Sequence, residues 1–453
     1  MYETSLRRHE ATPVTLAAPP RAGPAIAWFT VFTLCVAQVI STVDRGMLAL
    51  VIDPVRHDLG ISEIQIALLQ GFAFSVFYVT VGLPLGAVAD LMNRQRLLLG
   101  GILVWSAATV GGGLAQNFGG MFASRLFIGV GEAVLGPCAV TLISDLFPAD
   151  RRGRPMAVYV FGSMIAYGIG SLVSGYILQV APLGAFAGIP LLNALAPWRI
   201  AFILVGAFGF VIAAMLAMVR EPGRHGKAGA SADRASFRDG LGHFWAARRI
   251  FLPLYGSLAL FAMGGSVATG WGAVLLTRAF GYSLGTAGKS LGTAQIIWAA
   301  LGAAIASFVV DRIARRHGAA GKMRFAGLLS LLGLPSVVAV AAPAGGTAVI
   351  LLAEVMLVSA LYGASMLSII AEVAPLRVRG LAVALYAFVM TMIGGSLGPL
   401  AVASLTESVF HDPASVGTSM AMVGIAALTL SAALAWLAAR HIPHTTPQGA
   451  SSR

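Results

Sequence analysis

The sequence predicts an all-α integral membrane protein, with twelve transmembrane helices arranged as two pseudo-symmetric six-helix bundles. Three observations predict it. The 453 residues are 58% hydrophobic and 11% charged, with a mean hydropathy of +0.85, outside the range of water-soluble globular chains. Apolar windows of about 20 residues, the length that crosses a bilayer, recur twelve times. The two halves of the chain also carry matching polar punctuation at a fixed offset.

The windows lie near 26–52, 61–88, 96–115, 118–147, 155–180, 199–219, 250–278, 287–310, 322–342, 347–374, 379–405 and 416–440. The widest polar gap, Arg220 to Arg249, is rich in Gly, Ser, Asp and Arg and divides them into two sets of six. The expected organisation is a tail over 1–25, a bundle over 26–219, a linker over 220–249, a second bundle over 250–440 and a tail over 441–453. The first 24 residues have no apolar centre, so they read as neither a signal nor a transit peptide.

Punctuation repeats between the sets. Asp145, Pro148, Arg152, Gly153 and Tyr159 after the fourth window recur as Glu372, Pro375, Arg379, Gly380 and Tyr386 after the tenth, all 227 residues on. Gly86-Ala-Val-Ala-Asp90-Leu-Met-Asn93-Arg94-Gln-Arg96 similarly pairs with Ser307-Phe-Val-Val-Asp311-Arg312-Ile-Ala-Arg315-Arg316. Parallel six-helix repeats are a transporter architecture, with substrate held near the midplane between them.

Net charge is +12, but no basic run interleaves with aromatics, which argues against nucleic acid as a partner. All Lys and Arg except Arg45, Arg56, Arg125, Arg199, Arg278 and Lys289 fall on one side of the expected membrane. By the positive-inside rule that side is cytoplasmic. A multi-pass protein of the plasma (inner) membrane with both termini in the cytoplasm follows. Cys35 and Cys138 lie inside windows, giving neither a disulfide framework nor metal-ligand spacing; no cofactor or metal is expected.

The fourth window carries Arg125 and Glu132 in apolar surroundings. A charge in hydrocarbon costs at least a few kcal/mol, so such residues face a cavity, pair, or work. Seven residues are roughly two helical turns, which puts both on one face. Gly129, Gly131 and Gly136 allow close backbone approach, and Pro137 is expected to bend the helix.

Three carboxylates lie well inside windows, away from their ends, Asp44, Glu132 and Glu354, and no histidine sits mid-window. Proton coupling would therefore use a carboxylate, whose affinity for protons rises with burial and falls beside a guanidinium. Asp44 and Glu132 are the expected protonation sites, with Arg125 balancing their charge. A buried structural ion pair is the competing reading. Arg45 points about 100 degrees from Asp44, so one of the two is expected to face the cavity. Glu354 reads first as a structural or gating group and second as a substrate contact, while Arg278 and Lys289 read as membrane-surface residues.

These residues resemble a known family. The Gly86 to Arg96 loop is similar to the signature between the second and third helices of the major facilitator superfamily, with Asn93 at a glycine position, where a left-handed backbone is expected. Asp44-Arg45, Arg125-Leu-Phe-Ile-Gly129-Val-Gly131-Glu132 and Leu59-Gly-Ile-Ser-Glu-Ile-Gln65 leading to Leu83-Pro84-Leu-Gly86 resemble the spinster subfamily. The resemblance implies the same coupling positions, Asp44 above all. It also implies an inter-half latch, closed when the transporter opens outward, among Asp90, Arg94, Arg96, Asp145, Arg152, Asp311, Arg315, Glu372 and Arg379. The alternative is that these charges only set topology.

The windows are poor in amides and richer in aromatics and hydroxyls, including Tyr78, Tyr167 and Tyr362. A sugar site needs many polar partners; an amphipathic ligand with one charged head needs few, and Arg125 or Arg45 could hold that head. Spinster relatives imply lysolipids or sphingoid lipids. The alternative is a carrier of small organic anions or drug-like amphiphiles. A membrane enzyme or channel is the reading from another class, but no His approaches a Ser, Cys or Asp within a window, and an internal repeat removes the need for an oligomeric pore. A monomer is expected, with the bilayer, protons and one small substrate as its partners.

Overall fold

The computed structural model describes residues 23–148, 150–219, 221 and 237–442. The expected tails over 1–22 and 443–453, most of the 220–249 linker and the side chain of Asp90 fall outside the described residues.

Eleven apolar helical segments are long enough to cross a membrane. Ten make one crossing each: α1 (Pro24–Leu50), α2 (Glu63–Gly82), α3 (Arg94–Leu114), α4 (Phe118–Leu146), α5 (Gly153–Leu183), α6 (Pro197–Ala217), α7 (Arg248–Phe280), α10 (Gly345–Val373), α11 (Arg379–Phe410) and α12 (Pro413–His441). The eleventh, Leu284–Val337, has 54 residues. A straight helix of that length would run about 80 Å, far beyond the ~30 Å of hydrocarbon. It breaks at Gly318 (φ 59°, ψ −158°), a left-handed backbone that favours glycine, and so supplies both α8 (284–317) and α9 (319–337). Twelve crossings result, with no strand among the described residues.

Local signals set the ends. Pro24 and Pro197 open α1 and α6, where the missing N–H costs nothing. Ser62 and Gln65 form a reciprocal capping box at the start of α2, and Asn117 and Ser283 cap α4 and α8. Asn93 corrects an expectation. Its backbone is extended (φ −67°, ψ 111°), and its side chain accepts from the Arg96 N–H, because a helix start needs an acceptor for its orphan donors more than the loop needs a left-handed turn.

Helix α4 is interrupted at Ala133 and Val134, directly after Glu132. Pro137 lies four residues after Ala133, and its ring clashes with that carbonyl while lacking the N–H that would bond it. Glycine packing pulls α4 inward. A Cβ on Gly129 would lie 2.4 Å from the Phe74 carbonyl of α2, and one on Gly131 2.5 Å from the Gly101 carbonyl of α3, whereas Gly136 faces open space.

A further correction concerns the linker. Residues Phe237–Ala246 form a helix, and Phe244 packs edge-on against Phe251 of α7 with ring centroids 4.8 Å apart. Burial of that aromatic pair holds the end of the linker against the second bundle.

The bundles meet away from the termini. There α5 packs on α8 so closely that a Cβ on Gly288 would sit 2.7 Å from the Gly175 Cα. On the other lateral face, α2 meets α11, where a Cβ on Gly71 would lie 2.5 Å from the Ser396 Cα. Only backbone-to-backbone contact allows such approaches.

Candidate functional site

Two successive residues of α1 face two residues of α4 in crossed pairs. Asp44 Oδ2 accepts from Arg125 Nη1 at 3.1 Å, and Arg45 Nε lies 3.4 Å from Glu132 Oε2. The sequence reading put Glu132 with Arg125 as partners on one helix. The actual partners are on different helices, because α1 and α4 run antiparallel and their side chains interleave. Both Asp44 and Arg45 face α4, so neither needed to be chosen over the other.

Asp44, Arg125 and Glu132 are each 2% exposed. Arg125 lies over Phe202 of α6, its Cζ 5.0 Å from the ring centroid, and its Nε and Nη2 have no hydrogen-bond partner among the described residues. Arg45 differs. Its side chain is 34% exposed, its Cζ lies 5.3 Å from the Phe74 ring centroid, and its Nη2 donates to Ser41 Oγ at 3.3 Å. Phe74 belongs to α2, which lines the seam with the second half, as α5 does. Arg45 is thus the accessible cation of the set, and Arg125 the enclosed one.

The other expected contacts scatter. Tyr78 is half-buried and stacks on Phe74 at 5.1 Å. Tyr167 donates to the Thr269 carbonyl of α7 at 3.1 Å, bridging the two halves near Gly46 and Gln295. Tyr362 is a correction. It is 0% exposed, stacked on Phe261 at 3.6 Å and hydrogen-bonded to Ser257 at 2.9 Å, where Ser431 and Ser330 extend the hydroxyl chain. Tyr362 thus belongs to the packed interior of the second bundle. Glu354 is half-buried in α10, with Oε2 unpartnered among the described residues.

On the side of the termini the expected latch residues pair within halves. Arg94 bonds Asp145 at 2.6 Å and Glu221 at 2.8 Å, and Arg152 donates to the Ser144 carbonyl at the end of α4 at 2.5 Å. In the second half Glu372 pairs with Lys322, a side chain that sequence reading passed over. Lys322 lies near the start of α9 as Arg94 opens α3, and it takes the place opposite Glu372 that Arg94 takes opposite Asp145. Arg315 lies before the break at Gly318, exposed like Arg96 and Asp311. Arg379 is half-buried with Nε unpartnered among the described residues.

Sequence reading missed the opposite side. Arg278, in the last turn of α7, reaches Asp53 at 2.6 and 3.1 Å and Glu63 at 2.8 Å, so it joins the two halves as an ion pair. Glu407 of α11 accepts from the Ile64 N–H at 2.9 Å, capping α2 from the other half. The available signal was the clustering of acids around Arg56 in one outer loop against one arginine in the facing loop.

Residues 34–399 match the family model described as Major Facilitator Superfamily. The chain belongs to the major facilitator superfamily. A relative described as an MFS-type efflux pump from Mycolicibacterium smegmatis is 27% identical over 92% of this chain and 94% of its own. Protein spinster of Drosophila melanogaster is 27% identical over 54% of this chain and 38% of its own, and a probable L-galactonate transporter of Escherichia coli is 34% identical over 39% and 36%. The chain thus spans little more than a third of each of those two. Among solved structures, a bacterial homologue of the human lysosomal transporter spinster, inward-facing and unoccupied, superposes with a TM-score of 0.78 at 21% identity, over 94% of this chain and all of that one. The superfamily fold is thereby shown, and this member is a multi-pass membrane protein of a transporter family.

Proposed function

We propose that the protein is a secondary transporter that moves an amphipathic molecule with an anionic head by alternating access, coupled to protons at Asp44 and Glu132. The observation that carries it is the unequal pair Arg45 and Glu132. Glu132 is enclosed, while the arginine that neutralises it is one-third exposed. An anionic head reaching Arg45 beside Phe74 and Tyr78 competes with Glu132 for the guanidinium. A carboxylate stripped of its partner in an apolar site neutralises by binding a proton. Ligand arrival and proton uptake then become one event.

Asp44 and Arg125 form the second switch, since protonating Asp44 frees Arg125 and loosens α1 from α4. The halves pack together closely away from the termini, which fits an inward-facing state with the termini in the cytoplasm. Aromatic surroundings and few amides favour a lysolipid- or sphingoid-like ligand, in keeping with the spinster-like relatives. The second reading, a small organic anion, rests on the likeness to the L-galactonate transporter.

Counterflow in proteoliposomes tests the class and the ligand together. Preloaded lysophospholipid should accelerate entry of labelled lysophospholipid, with L-galactonate as the competing arm. Arg45→Gln should weaken apparent affinity by roughly tenfold or more, the loss of one charge-assisted contact of about 1.5–3 kcal/mol. Non-saturable flux in the wild-type protein would overturn the carrier reading.

A further inference from the structure

We infer that Asp53, Arg56, Glu63 and Arg278 form a partner-exchange latch on the side opposite the termini, in which the two arginines have opposite effects on opening. The inference rests on the alternating-access reading. Arg278 belongs to α7 in the second half; Asp53 and Arg56 lie in the short helix Ile52–Leu59 between α1 and α2, and Glu63 opens α2, all in the first half. Arg278 bonds Asp53 through Nε and Nη2, at 3.1 and 2.6 Å, and Glu63 at 2.8 Å. Arg56, in the same half as both acids, lies 2.9 Å from Glu63 and 3.7 Å from Asp53. Each acid therefore faces one arginine that stays with it when the halves part and one that leaves.

That duplication decides the energetics. Glu63 is 2% exposed, and stripping a buried carboxylate of all its partners is strongly unfavourable. With Arg56 retained, opening replaces a shared carboxylate by a simple pair within one half. Arg278, only 11% exposed in the closed state, passes to water as its half swings away. The second inter-half bond, Glu407 to the Ile64 N–H at the start of α2, exchanges for water in the same movement. Arg278 thus favours the closed side, and Arg56 lowers the cost of leaving it.

Spin labels at Leu183→Cys and Val409→Cys, both exposed beside this seam, measure the opening once Cys35 and Cys138 are replaced by Ala. Labels at Met218→Cys and Leu376→Cys report the opposite side. Arg278→Gln should raise the long-distance population of the first pair by roughly tenfold, the change that about 1.4 kcal/mol of lost pairing produces. Asp53→Asn, a milder change at a more exposed residue, should act in the same direction. Arg56→Gln alone should lower that population below the wild type, because Glu63 then keeps Arg278 in the closed state and has no arginine in the open one. An unchanged first pair in both Arg278→Gln and Asp53→Asn overturns the latch, as does an Arg56→Gln variant more open than the wild type. If the second pair responds to a change from alkaline to acidic buffer while the first ignores both variants, the latch alone fails. If neither pair moves under any condition, alternating access fails with it.

Discussion

A buried charge is tolerable only with a partner, and at residue scale the first bundle solves this with two crossed pairs. Asp44 and Arg125 are both enclosed, so removing one strands the other at a cost of about 3–5 kcal/mol. Asp44→Ala should therefore lower the thermal midpoint sharply, while Asp44→Asn with Arg125→Gln should recover most of the stability and still lose pH-driven transport. Recovery of both together would make the pair structural, the competing reading. Tyr362→Phe should cost about 1 kcal/mol, one net hydrogen bond, and leave transport rate and affinity within about twofold, because Tyr362 lies within the packed second bundle. A large loss of affinity in that variant would return Tyr362 to the substrate surface. Sequence alone identified Asp44, Arg45, Arg125 and Glu132 as out of place in hydrocarbon. It could not assign partners, since seven-residue spacing describes one helix and the pairs join two.

At the scale of elements, glycine contacts govern how the halves close. A Cβ on Gly288 would meet the Gly175 Cα at 2.7 Å and Leu50 at 2.7 Å, so Gly288→Val wedges α8 from α5. The variant should fold, since neither bundle's own core is touched. It should cost the closed arrangement about 1–3 kcal/mol, the usual penalty of overpacking, and bring transport down at least tenfold. Labelling of Ser171→Cys, at the seam beside Gln295, by an impermeant reagent should rise in parallel. Unchanged labelling and transport would mean that this contact does not set closure. The break in α4 after Glu132 belongs to the same scale. Pro137 announced a bend, and the structure sets it at Ala133, one residue beyond the carboxylate that pairs with Arg45.

For the whole molecule, the close glycine contacts between the two bundles lie away from the termini. An imposed pH gradient should drive uptake several-fold above its absence. An uncoupler should abolish that excess in the wild-type protein, and Glu132→Gln should show no excess to abolish. Equal uptake with and without the gradient would leave a facilitative carrier. Helix number and the division into two sets of six were legible in the sequence because hydrocarbon forces every crossing to be a long apolar helix, which hydropathy along the chain exposes. The latch at Arg278, the pairing of Lys322 with Glu372 and the enclosure of Tyr362 were decided only by tertiary structure. In each case the deciding partner lies on another helix, tens to hundreds of residues away, and periodicity along one helix carries no information about which face of another it meets.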